Sequence, residues 1–195
     1  MIGKITSSNS HITYVCQIYG EREVPAPPHA EEYGFGTFVG IAHRGGGYLV
    51  GVISNTTLLN PEFGNLGPRL SPEADLAIFA PDYLSEKLTL VSITILGAVD
   101  STGRVAQGVP TVAAEIDAPV RRLTQEEIIA FHQVGGSLQV AYLPMLLSNA
   151  LRDPLMPALA LDLIGQLERL FPEEGPRLAL LKGNVAWRAR IEPLG

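Results

Sequence analysis

The sequence predicts an α+β chain in two parts. A small Greek-key-like β-barrel is expected over residues 1–120, and a mainly α-helical unit over residues 121–195. Three observations carry this. Apolar, β-branched runs with a period of two, broken by glycine and proline turns, fill the first part. After Pro119 the apolar spacing changes to three and four. The charge divides at the same place: residues 1–120 hold 6 basic and 12 acidic side chains, residues 121–195 hold 8 of each.

In chain order, residues 2–7 read as a first strand and Ser7-Ser8-Asn9-Ser10 as a turn. Residues 11–19 alternate, with Ile12, Tyr14, Cys16 and Ile18 on one face, which suits a half-buried strand. The charged stretch from Glu21 to Glu32 holds Pro25, Pro27 and Pro28 and reads as a loop. A β-hairpin over residues 36–54 follows. Gly45-Gly46-Gly47 reverses it, because glycine reaches positive φ without steric cost. His43 and Arg44 sit near its tip. Residues 55–69, with Pro61, Gly64, Gly67 and Pro68, read as a long connection. Ser71-Pro72-Glu73-Ala74-Asp75 has the form of a helix start. A long strand is expected over 88–99, a turn at Asp100–Gly103, and a last barrel strand within 109–116.

The second part opens with Thr124-Gln125-Glu126-Glu127, a capping-box pattern. Gly135-Gly136 ends that helix, residues 138–143 fit either strand or helix, and Pro144 opens a helix running to about residue 151. Residues 155–171 form the clearest helix, with Met156, Leu159, Leu163, Leu167 and Leu170 on one face and Asp162, Gln166 and Arg169 on the other. A short helix is expected over 176–182. Val185, Trp187, Ala189 and Ile191 alternate with polar neighbours, which predicts a closing strand over 184–191.

Composition excludes several classes. The longest apolar runs fall short of the ~18 residues of a membrane helix. The N-terminus is polar after Lys4 and does not read as a secretion signal. The single cysteine cannot close an internal disulfide, so a cytoplasmic setting is expected. All of the net charge of −6 sits in residues 1–120, which argues against that part wrapping nucleic acid on its own, while the neutral second part leaves room for a local basic patch.

No residue set amounts to an active site, so the chain is expected not to be an enzyme and to need no cofactor. His11, His29, His43 and His132 show no metal-ligand spacing, and only Cys16 could join them, so no metal is expected. His29-Ala30-Glu31 imitates half of a zinc deaminase signature whose Pro-Cys-x-x-Cys half is missing. Glu73/Asp75 and Glu115/Asp117 are spaced carboxylates. On a strand Glu115 and Asp117 would face the same way, yet solvated surface acids explain both pairs more cheaply. Cys16 alternates with apolar residues and reads as buried and structural. There is no Gly-x-Ser-x-Gly elbow.

Two sets remain as binding candidates. His43, Arg44, Gly45 and Gly46 could present backbone N–H groups and a cation to an anion, although a glycine turn between strands is usually only a turn. Trp187, Arg188 and Arg190 could meet phosphate or an acidic partner. Against that stands a core tryptophan with two ordinary solvated edge cations beside it. Arg121-Arg122 at the junction invites the same two readings. The apolar arc of the helix over 155–171 is wide, since Leu155, Leu161 and Ile164 flank its main stripe. It needs cover on more than one side, from the barrel or from another subunit.

Four stretches resemble the HAS-barrel, the small barrel shared by HerA-type DNA translocases and rotary ATP synthase subunits. They are Ile2-Gly-Lys-Ile-Thr-Ser-Ser, Gly36-Thr-Phe-Val-Gly-Ile, Leu49-Val-Gly-Val-Ile and Leu90-Val-Ser-Ile-Thr-Ile-Leu-Gly, and the likeness covers most of residues 1–117. It implies a non-catalytic barrel at the rim of an ATPase ring, assisting assembly and docking. Those translocases continue into a P-loop domain, whereas no Gly-x-x-x-x-Gly-Lys-Ser/Thr occurs here, so ATP hydrolysis is not implied. The expectation is a stand-alone accessory protein that forms a homo-oligomer or docks onto a partner ATPase in DNA repair or translocation. The alternative is a small-barrel module that binds nucleic acid.

Overall fold

A computed structural model of the chain describes residues 1–60, 88–148 and 153–191. Its first part is a closed six-stranded antiparallel barrel. The strands are β1 (Gly3–Ser10), β2 (Thr13–Ile18), β3 (Phe38–Ala42), β4 (Tyr48–Leu59), β5 (Leu88–Val99) and β7 (Pro119–Arg122), with a short β6 (Val105–Gln107) laid against β5. Around the wall the order is β1-β2-β5-β4-β3-β7, and β7 closes it by pairing with β1, Gly3 opposite Val120. Irregular registers in β1 and along β4–β5 bend the strands enough to close so small a barrel.

Alternation sets what points inward. Ile2, Ile5, Tyr14, Cys16, Val39, Ile41, Leu49, Ile53, Ile93, Ile95 and Val120 fill the barrel interior, leaving a packed core rather than a lumen. Phe38, Val50, Val52 and Leu96 point outward and are buried under the helices. Burial on both faces is why residues 49–53 read as an unbroken apolar run instead of alternating.

The helical part holds α1 (Gln125–His132), the two-residue strands β8 (Gln133–Val134) and β9 (Ser137–Leu138), α2 (Leu143–Ser148), α3 (Met156–Leu170) and α4 (Gly175–Ile191). Thr124 caps α1 as its sequence predicts: its side chain accepts from the Glu127 N–H, and the Glu127 carboxylate accepts from the Thr124 N–H. α3 buries Met156, Leu159, Leu163, Ile164 and Leu167 against the barrel and its neighbours.

Three expectations are corrected. Residues 184–191 are not a closing strand but the second half of α4. Leu178 and Val185, seven apart, are buried with Leu181 half-buried between them, so the helical period outweighs the alternation. Residues 109–116 form no strand. Their polar bonds go to single groups instead: His11 Nε2 lies 2.8 Å from the Pro110 carbonyl, and the Ala114 N–H donates to the Tyr14 hydroxyl at 3.1 Å. The last barrel strand is β7, so a boundary at residue 120 cuts through the barrel wall. Its Pro119 is tolerated at a strand's first position, where no ladder donor is missed. Finally, Asn55–Leu59 continue β4 rather than beginning a loop. Residues 61–69 of that expected connection and the helix start at Ser71 lie outside the described residues.

Candidate functional site

The β3–β4 turn holds the first set of predicted residues. Gly46 and Gly47 take φ of 83° and 76°, which the reversal requires. The Gly45 N–H donates to His43 Nδ1 at 3.1 Å and the Gly46 N–H to the His43 carbonyl at 3.1 Å, so both donors are spent inside the turn. Arg44 reaches out to Glu115, with Nε 2.5 Å from a carboxylate oxygen. That leaves little of the anion cradle that the sequence suggested. Glu115 and Asp117 do not form a carboxylate pair on a strand. Asp117 instead has φ 61° and lies 3.8 Å from Lys4.

The buried polar groups are structural. Cys16 is fully buried in the barrel, and desolvation pushes its thiol up to about 12, so it is not a nucleophile at neutral pH. Thr94 donates to the Ser54 hydroxyl at 3.0 Å, and Ser54 donates to the Ser92 carbonyl at 3.3 Å. Among the described residues no group of three His, Cys, Asp or Glu could hold a metal ion.

Where barrel and helices meet, polar groups fix the docking. Arg121 on β7 grips Glu127 on α1 through two bonds of 2.7 and 2.6 Å and lies over the Tyr48 ring, 5.2 Å from its centre. Glu127 raises the Arg121 pKa, and the guanidinium holds the Glu127 carboxyl below its ordinary value. Gln107 on β6 donates to the Phe131 and Gln139 carbonyls and accepts from the Ala141 N–H. Gln166 on α3 donates to the Gly36 carbonyl at 2.8 Å.

His132 lies at the centre of this seam, fully buried among Phe38, Phe131 and Tyr142. Its Nδ1 is 2.7 Å from the Ile128 carbonyl and its Nε2 is 2.8 Å from the Tyr142 hydroxyl. A carbonyl only accepts, so Nδ1 carries the proton and Nε2 accepts from Tyr142. Desolvation pulls the His132 pKa down to about 4, against a smaller opposing contribution from the Ile128 carbonyl, and burial raises that of Tyr142. Sequence reasoning reaches neither this pair nor its role, because the two residues meet only through the tertiary fold.

An open cleft of about 160 Å³ lies on the same seam, lined by Phe35, Thr37, Arg122, Leu123, Asp162 and Gln166 among others. It is smaller than the ~300 Å³ at which small-molecule sites begin.

The second predicted set is on α4. Leu180 and Trp187, seven apart, share one stripe of that helix and are 68% and 62% exposed. The tryptophan is therefore not core. Arg188 follows it and is exposed. Arg190 lies two positions further along the same helix, not on a strand. Over its length α4 carries Arg177, Lys182, Arg188 and Arg190 and no acid. Arg177 is engaged by Glu174 and Lys182 by Glu168.

The fold defines a small closed antiparallel barrel wrapped on one side by helices. The chain matches, over residues 1–193, the family described as a domain of unknown function, DUF8166, and belongs to it. A comparison with curated proteins finds no match. Among the described residues no helix is long and apolar enough to cross a membrane.

Proposed function

We propose that this chain is a non-catalytic assembly module, which associates with itself or docks onto a partner ATPase through the outer face of α4. The carrying observation is that face: the chain's one tryptophan and Leu180 stand exposed on a single stripe, beside an arginine. Tryptophan and arginine are the side chains that contribute most at protein interfaces, and a helix whose inner face is already buried does not need a second apolar stripe. The filled barrel interior supports the same reading, since it offers no chamber for a substrate. The likeness of residues 1–117 to the HAS-barrel supplies the kind of partner, a ring ATPase of HerA type, in whose company such barrels assist assembly.

The test is the mass of the full chain by light scattering behind size-exclusion chromatography, at two concentrations. A mass several times 20.9 kDa that falls on Trp187→Ala is expected. A monomer at both concentrations overturns assembly with itself. The absence of acids along α4 favours one second reading, a nucleic-acid surface. Oligonucleotide binding at low salt that Arg188→Glu abolishes would replace the assembly reading, and a flat titration removes the alternative.

A further inference from the structure

We infer that the α4 face docks onto the proline- and glutamate-bearing loop of residues 20–35 in a second copy of this chain. The inference rests on the assembly reading and names the surface that meets α4.

The two surfaces are opposite in charge and matched in apolar chemistry. α4 has four cations and no acid. Two of them are already engaged, but Arg188 beside Trp187 has no ionic partner among the described residues. Two arginines in the last turn also suit the helix dipole, yet that effect gives no reason for Trp187 and Leu180 to face water.

The loop of residues 20–35 carries Glu21, Glu23, Glu31 and Glu32 against Arg22. Glu23 accepts from the Gly20 N–H and Gln17, and Glu32 caps the turn at His29, so both are committed at home. Glu21 and Glu31 are exposed and are the carboxylates left to face another molecule. Between them run Pro25, Pro27 and Pro28, and Phe35 beyond is 43% exposed. Prolines pre-set an extended backbone, so such a segment binds a flat aromatic ring with little further loss of entropy. In this pairing Trp187 lies on the prolines and Phe35, and Arg188 meets Glu21 or Glu31. The surfaces are different patches of one chain. Their pairing is therefore head-to-tail unless a two-fold axis doubles it, and a head-to-tail contact closes into a ring when its rotation allows.

The experiment follows the mass of the full chain by sedimentation at about 0.05 M and about 0.5 M salt. Wild type, Arg188→Glu, Glu21→Arg/Glu31→Arg and the combination of all three are compared, each checked for wild-type circular dichroism. The wild type is expected to associate at low salt and dissociate at high salt. Each single-surface variant should weaken association by at least about tenfold, and the combination should restore it. Association that ignores salt and Arg188→Glu overturns this pairing and leaves the assembly reading standing. A wild type that stays monomeric in every condition overturns both the pairing and assembly with itself.

Discussion

Acid should weaken this fold through His132 before the carboxylates respond. In the folded chain the ring is uncharged, with a pKa near 4, whereas the unfolded chain binds its proton near the ordinary 6.5. Between those values the unfolded state binds more protons, so stability rises with pH across that window. The contribution is complete above pH 6.5 and is lost as pH falls through 4. Integrated from pH 7.5 to pH 5.0, the shift costs the native state about 2 kcal/mol. Replacing the ring and its partner together, as His132→Phe/Tyr142→Phe, removes the proton site without orphaning the Tyr142 hydroxyl. His132→Phe alone leaves that hydroxyl buried and unpaired, at about 1–3 kcal/mol. The assay is urea unfolding followed by far-ultraviolet circular dichroism at the two pH values. The wild-type midpoint should drop by roughly 1 M urea more than that of the double variant. Equal drops in the two proteins would refute the reasoning.

Other predictions follow from local geometry. Gly47→Ala places a Cβ 2.2 Å from the Val99 carbonyl at a φ of 76°, while Gly103→Ala, at φ 82°, meets nothing within 4 Å. Thermal melts should show the first costing well over the ~1 kcal/mol of positive-φ strain expected of the second. Cys16, buried with its pKa near 12, should resist an aromatic disulfide thiol probe in the native chain and react fully in denaturant; prompt native labelling would contradict its placement. Thr124→Ala removes the α1 cap and should cost about 1 kcal/mol in denaturant melts. Arg121→Gln should cost less than a buried ion pair would, because 37% of the arginine side chain and 27% of Glu127 remain exposed.

Elements whose signals are local were legible in the sequence. The Thr124–Glu127 box, the β-branched run of β5 and the apolar stripe of α3 each state their structure within a few residues. β7 was hidden because only Val120 of its four residues points into the barrel, while Arg121 leaves for Glu127, so no period can be read. α4 reads as a strand because its buried stripe, Leu178, Leu181 and Val185, meets a two-residue alternation that begins at Val185, and only packing against α3 decides between them. The exposure of Trp187 depends on the same outcome: a strand would have buried it. The β3–β4 turn was placed correctly, but the destination of its N–H groups, His43 itself, is a matter of side-chain geometry. The seam around His132 and Tyr142 depends on helices docking on the outer faces of β3, β4 and β5, which no local pattern announces.

The central claim is that α4 is the surface through which this chain associates, and its lone tryptophan reports on that directly. Acrylamide quenching of Trp187 fluorescence, measured across a dilution series of the full chain, tests it. The account predicts a ring open to quencher in dilute protein and shielded in concentrated protein, over the range where the mass rises above 20.9 kDa. A Trp187 equally quenched at every concentration while the mass rises would place the contact elsewhere and contradict the claim.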